Sequence, residues 1–465
     1  MSILTSLFIA ARGMQAHQQG IQTTSHNIAN VNTPGFSRQR LILSTSFPIT
    51  YGQLLLGNGV SVESVRSVVD RFAETELLGR HGELGFSQAG ARALSGIQDA
   101  FPVTGGVEEA LDNFFNAWSA LSNNPGGQAE RTALIGKANA LGDRLRQARG
   151  MLSNAQFNLD KDVGRVVGQV NSVLVQIADY NRQIAAVEAA GQPANDLRDQ
   201  RQLLLQDISR LTGATITEGA QGQVTVTSGG LLLVSGDRAA TLDASNVGLN
   251  GLHTVDYRSP SGLTFDATTF FTRGEFGGVL TMRDQELPSM IGRLDQLAKT
   301  IADEVNAQHA AGFDLNGAAG GNFFNPIGAV AGAANSLQLA AAVAADTNLI
   351  AASATAAGVP GDNGNALAMV NLRNAAFPAL GNQTFNDYYV SLVQDVGMKA
   401  EAAERDLDFQ EALLNQAQVR RDGLSGVSLE EEMTKMIMFQ RAFEASSVLV
   451  KTGDEMYQTI LGMVR

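Results

Sequence analysis

The start of the chain carries apolar or small side chains at alternating steps of three and four positions, which predicts an amphipathic helix with a coiled-coil seam. The seam positions are Leu4, Leu7, Ala11, Met14, Gln18, Ile21, Ser25 and Ile28. The segment from Asn32 to Phe36 then ends the pattern. Pro34 presets φ for the second position of a turn, and Gly35 accepts the positive φ that a type II turn needs next, so we expect a tight turn.

The end of the chain repeats this arrangement. Ser428 and Glu431 have the spacing of a capping box, which marks the start of a helix. The seam that follows is Leu429, Met433, Met436, Gln440, Phe443, Ser447, Val450, Asp454, Tyr457, Leu461 and Val464. Full burial of a leucine contributes about 1.5–3 kcal/mol, whereas ordering one backbone residue costs about 1–2 kcal/mol. Because both seams contain few large apolar residues, we expect the two helices to pair and to be largely disordered in an isolated monomer.

A longer helical region lies between these ends. One helix is predicted from Gly106 to Ser122, before a stop at Asn123-Asn124-Pro125-Gly126-Gly127. The proline-free run from Gly126 to Gln192 carries an apolar seam, which predicts one long, coiled-coil-like helix. A later helical pattern extends from about Asp387 to Arg421, and we expect it to pack along the long helix.

A period of two replaces the helical pattern after Gly213. Val224 and Val226 alternate with threonine, and Ser228-Gly229-Gly230 predicts a hairpin turn. Further strand-like pieces are Val255–Tyr257, Phe265, Phe270–Phe271 and Val279–Met282. These pieces predict a small β-rich outer domain. Residues 317–365 are rich in alanine and glycine, and we expect a loosely packed hairpin or loop there.

Together the patterns predict a mainly α fold with a β insertion, built from discontinuous domains. Residues 1–40 and 427–465 form a terminal helical coiled-coil domain. Residues 41–212 and 290–426 form a long-helix bundle, and residues 213–289 form the β-rich outer domain.

Composition narrows the classes of function. The net charge is −13, and no acidic residue precedes Glu63. This balance argues against a nucleic-acid partner, which needs clustered basic residues. The chain has no cysteine, so disulfides and thiolate chemistry are excluded. No apolar run is long enough for membrane insertion. The first helix could be a secretory signal or transit peptide, but its unbroken seam and the lack of a basic start favour a retained helix.

Candidate chemistry is sparse. None of the histidines has a metal-ligand spacing; they are His17, His26, His81, His253 and His309. Asp314 and Asn316 only faintly match a calcium loop, since no closing glutamate follows. The run Glu430-Glu431-Glu432 complements a helix dipole rather than forming an acid/base pair. We therefore expect no cofactor, no metal site and no enzymatic activity.

Several stretches along the chain resemble flagellar axial proteins. The segment from Ser25 to Gln39 resembles the N-terminal signature of flagellar rod, hook and hook-associated proteins, and the segment from Phe439 to Met456 resembles their C-terminal signature. Further segments are similar to the hook-associated protein 1 (FlgK) family in particular; they are residues 195–204, 277–288, 306–317, 360–368 and 427–433.

This resemblance implies a secreted, structural subunit of the hook–filament junction of the bacterial flagellum. It implies self-assembly into a ring that contacts hook protein and a second junction protein. It also implies type III export, with a chaperone bound to the C-terminal region. The expected assembly interface is Leu4, Leu7, Ala11, Met14, Ile21, Ile28, Met433, Met436, Phe443, Val450, Tyr457 and Leu461, with Asn32, Pro34, Gly35 and Phe36 as the signature turn.

Three alternatives remain. A flagellar rod or hook subunit would share both terminal signatures, although its middle should lack a long helix. A flagellin is disfavoured by the Asn-Thr-Pro-Gly-Phe turn. An adhesin-like module would need exposed aromatic residues in the outer domain, where the candidates are Tyr257, Phe265, Phe270, Phe271 and Phe276.

Overall fold

The computed structural model describes residues 3–51, 54–102 and 105–463. Its helices are α1 (Ile3–Ala29), α2 (Arg71–Ile97), α3 (Val107–Asn123), α4 (Gln128–Ala189), α5 (Asn195–Thr212), α6 (Gly274–Thr281), α7 (Leu287–Ala310), α8 (Ala333–Ser336), α9 (Ala341–Ala345), α10 (Gly364–Asn371), α11 (Phe385–Ser425) and α12 (Leu429–Met463). Its strands are β1 (Gln39–Thr45), β2 (Ile49–Tyr51), β3 (Leu54–Leu56), β4 (Val60–Ser67), β5 (Thr215–Glu218), β6 (Val224–Ser228), β7 (Leu231–Ser235), β8 (Arg238–Ala239), β9 (Thr241–Asp243), β10 (Asp256–Arg258) and β11 (Thr264–Asp266). The predicted mainly α fold with a β insertion is confirmed. Within these ranges, no helix combines the length and apolar character needed to cross a bilayer.

The terminal helices α1 and α12 pack against each other in antiparallel orientation. Leu7 lies opposite Gly453, near one end of the pair, and Gly20 lies opposite Phe439, near the other. Between α1 and the bundle, residues 39–67 form two β-hairpins, β1 with β4 and β2 with β3. The domain bounds predicted from the sequence place residues 41–67 in the helical bundle, because the consecutive apolar residues 41–43 hide the alternation of a strand.

The long helix α4 spans 62 residues and confirms the predicted long helix. Its apolar stripe is buried from Leu134 to Ile184 and packs in turn against α3, α7, α5 and the strands of the outer domain. Because those elements cover the stripe, α11 packs mainly along α2 instead. The expectation that α11 would pair with the long helix was therefore wrong.

The outer domain contains a four-stranded sheet in the order β5-β6-β7-β8 and a three-stranded sheet in the order β11-β10-β9. The predicted hairpin turn is confirmed, since Gly229 and Gly230 both have positive φ between β6 and β7. Val279–Met282 is not a strand; it lies in α6 and the π-helical turn that follows. Gly278 lets α6 approach the backbone of Phe86 so closely that a Cβ there would lie 2.7 Å from the carbonyl oxygen. Packing against α2 therefore accompanies a helix here, although the local apolar run also fits a strand.

The alanine- and glycine-rich residues 317–365 are irregular but not loosely packed. Side chains of α7 bind their backbone. Asp295 accepts hydrogen bonds from the amides of Gly332 and Ala334 at 2.8 and 2.9 Å. Asn306 accepts from the amides of two buried phenylalanines, Phe323 and Phe324, at 2.8 Å each. Small residues allow this close approach. The expectation of a loosely packed segment was therefore wrong.

Candidate assembly interface

The contact between α1 and α12 uses small residues on α1. A Cβ added at Gly20 would lie 2.8 Å from the ring of Phe439, and one at Gly13 would lie 3.2 Å from the hydroxyl of Ser446. Glycine therefore permits the helices to approach closely. The buried positions of α1 are Ala10, Gly13, Ala16, Gly20, Thr23, Thr24 and Asn27. The tightest line of contact thus lies one position before the seam inferred from apolar spacing.

The predicted interface residues lie on either side of this line. Those that are half-buried are Leu7, Met14, Ile21, Ile28, Met436, Phe443 and Val450. Those that are exposed in the single chain are Ala11, Met433, Tyr457 and Leu461. The side chain of Leu4, and all of Val464, lie outside the described residues. The pattern therefore located the pair of helices, but the largest apolar residues flank the contact instead of forming its centre.

The signature turn has the predicted geometry. The amide of Phe36 donates to the carbonyl of Thr33 at 3.2 Å, and Gly35 has φ +78°. These two features are those of a type II turn with Pro34 at its second position. A Cβ at Gly35 would lie 2.8 Å from the side chain of Leu203, so the turn also packs tightly on α5. Asn32 and Pro34 themselves are exposed.

Arg421, at the end of α11, ties this turn to the bundle. Its guanidinium is buried and forms an ion pair with Glu74 of α2, with Nε and Oε1 3.0 Å apart. The same group donates to the carbonyl of Gly35 at 3.0 Å and to the hydroxyl of Ser37 at 3.0 Å. One side chain thus joins α11, α2 and the turn. The sequence does not indicate this role, because nothing in the local pattern distinguishes Arg421 from its neighbour Arg420.

Asn27 and Glu432 join the two terminal helices at the same place. Asn27 is fully buried; its side-chain nitrogen donates to Glu432 Oε2 and to the carbonyl of Gln39, at 2.8 Å each. Its oxygen accepts from the Gln39 amide at 2.9 Å. Lys435 pairs with the second oxygen of Glu432 at 2.7 Å. Glu432, which the sequence indicated only as part of a run that complements the helix dipole, is therefore also a buried hydrogen-bond acceptor.

The first turns of α5 complete the junction. Asp199 accepts from the amide of Ser37 at 2.9 Å, and Asp196 accepts from the side chain of Gln39 at 2.7 Å. Burial raises the pKa of Asp199 to about 6, against the opposing effect of the hydrogen bond from Ser37. Two of the stretches that carried the sequence resemblance, residues 25–39 and 195–201, thus meet where the terminal helices join the bundle.

Both terminal segments and the central region of the chain match families of known proteins. Residues 94–324 match the family model described as the flagellar hook-associated protein FlgK helical domain. Residues 7–36 match the flagella basal body rod protein family, and residues 424–463 match the flagellar basal body rod FlgEFG protein C-terminal family. The flagellar hook-associated protein 1 of Bacillus subtilis (strain 168) is 30% identical over 510 aligned residues, with 98% of each chain covered. The chain belongs to the flagellar hook-associated protein 1 family.

Other members of the hook-associated protein 1 family agree with this assignment. The proteins of Salmonella typhimurium and Escherichia coli (strain K12) are 26% and 25% identical, and each alignment covers 98% of this chain. The flagellar hook junction protein FlgK from Burkholderia pseudomallei shares the fold, with a TM-score of 0.66 at 18% identity. That alignment covers 76% of this chain and 100% of the other. The resemblance read from the sequence is confirmed.

This family member leaves most of α12 uncovered. Of its 35 residues, only Glu432 is buried. Large apolar side chains are exposed along the helix, including Met433 (57%), Leu449 (63%) and Leu461 (53%). A free monomer gains nothing from such a surface, and exposed apolar surface of this extent is typical of an interaction site. The geometry is therefore that of a structural subunit whose terminal helix exposes an apolar surface.

Proposed function

We propose that this chain is a structural, non-enzymatic subunit of the junction between the hook and the filament of the bacterial flagellum. The observation that carries the proposal is the apolar surface of α12 on a chain of this family. Terminal helices that are covered only in part by their own chain suit an assembly in which neighbours cover the remainder. The half-buried and exposed seam residues, from Leu7 to Leu461, are the proposed contacts.

Several finer features belong to the same proposal. The subunits form a ring that contacts hook protein on one side and a second junction protein on the other. The chain leaves the cell through the flagellar type III channel with α1 retained. An export chaperone covers the C-terminal region beforehand, which would shield the apolar surface of α12 until assembly. The exposed side chains of Met433 and Leu449 support this last step.

A rod or hook subunit is the second candidate, because the family models for both terminal segments are those of rod proteins. The central match, over residues 94–324, favours the junction. The 62-residue helix α4 also favours it, since a rod or hook subunit is expected to have a β-rich middle.

Deleting the gene tests the proposal. A junction subunit predicts cells with complete hooks but no filaments, and filament protein released into the medium. A rod or hook subunit predicts cells without hooks. Electron microscopy of the cells, with immunoblots of the medium, distinguishes these outcomes, and normal filaments would refute both candidates. Complementation with the intact gene is the control.

A further inference from the structure

A cleft of about 910 Å³ lies beside the junction of the terminal helices with the bundle. One wall comes from the N-terminal half of α2, and the others come from α5 and β5. β5 is the edge strand of its four-stranded sheet. An edge strand presents unpaired backbone N–H and C=O groups, and a cleft between an edge strand and a helix suits an extended peptide.

Arg201 lines this cleft, and the hydrogen bonds of its guanidinium go to neutral acceptors. Its residue surface is 4% exposed. Nη1 donates to the side chain of Asn181 at 2.8 Å and to the carbonyl of Gly222 at 2.7 Å. Nε has no hydrogen-bond partner among the described residues. Neutral acceptors stabilise a guanidinium less than a carboxylate does, and an unpaired buried charge is unfavourable.

The nearby carboxylates of the cleft are already used by other arginines. Glu188 and Glu218 both pair with Arg198, at 2.7 and 2.6 Å. Arg71 also pairs with Glu218, at 2.9 Å, from an exposed position on the rim. Over the whole cleft, five arginines face four acidic residues; the arginines are Arg66, Arg71, Arg198, Arg201 and Arg273, and the acids are Glu74, Glu188, Asp199 and Glu218. The excess positive charge favours an anionic group from outside.

We propose that the cleft binds an extended peptide segment that carries a carboxylate. The segment pairs its backbone with β5 and places its carboxylate on Arg201. That this segment comes from a neighbouring flagellar subunit rests on the proposed function. The recognition chemistry does not, since it depends only on the edge strand and the buried arginine.

The test uses the full chain and a short fluorescent peptide that alternates valine and glutamate, titrated by fluorescence anisotropy. Two matched peptides replace glutamate by glutamine or methylate alternate backbone nitrogens. We expect each replacement to weaken binding by about tenfold or more, because one removes a buried charge pair and the other removes strand pairing. Equal affinity of the glutamate and glutamine peptides, or no binding of the glutamate peptide, would overturn the proposal.

Arg201→Gln supplies the protein side of the test. It should weaken binding of the glutamate peptide to the level of the glutamine peptide, whereas the control Arg238→Gln, on β8 at the opposite edge of the sheet, should leave binding unchanged. If Arg201→Gln does not fold, the peptide comparison on the unaltered chain still decides. The gene-deletion phenotype does not depend on this result, so the two proposals can fail separately.

Discussion

At the residue scale, the junction between the terminal helices and the bundle depends on buried polar side chains. Arg421 binds Glu74, the carbonyl of Gly35 and the hydroxyl of Ser37. Asn27 binds Glu432 and the backbone of Gln39. Buried polar groups of this kind contribute little net stability when paired, but removing one partner leaves the other unsatisfied at considerable cost. The turn is thereby fixed in one orientation.

Arg421→Gln should therefore lower the free energy of unfolding by about 3–5 kcal/mol, because it leaves the carboxylate of Glu74 without its buried cation. The neighbouring Arg420 offers a matched control. It pairs with Glu76 at 2.6 Å but is half exposed, so Arg420→Gln should cost less than about 1 kcal/mol. Urea denaturation of both variants measures the difference. Similar losses for the two would show that the buried network does not hold the junction.

At the element scale, side chains of α7 hold the alanine- and glycine-rich loop in place by hydrogen bonds to its backbone. His309 is fully buried, with Nδ1 2.6 Å from the carbonyl of Gly321 and Nε2 accepting from the amide of Ala351 at 2.9 Å. This arrangement requires the neutral ring with its proton on Nδ1, because a proton on Nε2 would face the N–H of Ala351. Burial accordingly lowers the pKa of His309.

The lowered pKa makes this part of the fold sensitive to acid. The unfolded histidine takes up a proton at a higher pH than the folded one, so the contribution of His309 is complete above about pH 6.5 and is lost as the pH falls below it. His309→Gln, which does not titrate, should show a smaller loss of unfolding free energy between pH 7.5 and pH 5.5 than the unaltered chain. Urea denaturation at both pH values checks this, and parallel losses would contradict the assignment to His309.

The terminal helices differ from the bundle helices in how many side chains they bury. The bundle helix α3 buries Phe114, Trp118 and Leu121, whereas α12 buries only one glutamate. Packing, and not intrinsic propensity, supplies most helix stability in proteins. We therefore expect the amides of α1 and α12 in a dilute monomer to exchange within seconds while those of α4 stay protected. Hydrogen exchange followed by mass spectrometry measures this, and protection of both termini would disprove it.

At the scale of the whole molecule, the bundle and outer domain form a continuous core, while the terminal pair offers its apolar flanks to neighbours. Leu7→Asp and Phe443→Asp each place a charge in the half-buried flank of the pair. Burying an unpaired carboxylate is unfavourable, so assembly should be impaired while export continues. Immunoblots of the medium and counts of filaments per cell measure the two effects. Arg238→Asp on the outer domain is the control. Normal filament numbers in the two seam variants would show that Leu7 and Phe443 are not part of the interface.

Long helices are predictable from this sequence, whereas short elements are not. Periodicity located α1, α3, α4, α11 and α12 well, because a long amphipathic helix repeats its signal many times. It failed for β1 and for α6, where short apolar runs fit a strand or a helix equally well. Three of the aromatic residues that an adhesin-like module would need on its surface, Tyr257, Phe271 and Phe276, are buried in the fold. A short apolar run in the sequence does not indicate which other element will pack against it.

By itself, the sequence determined the mainly helical fold, the pairing of the two ends, the type II turn at Gly35 and the family. These follow from local geometry or from long patterns, which the chain carries irrespective of its partners. Only the tertiary structure decided that the tightest helix contact uses Gly13 and Gly20, that α11 lies on α2, and that Arg421 connects three distant segments. The reason is that close approach and buried pairing depend on which surfaces meet, and residues hundreds of positions apart carry no local sign of that meeting.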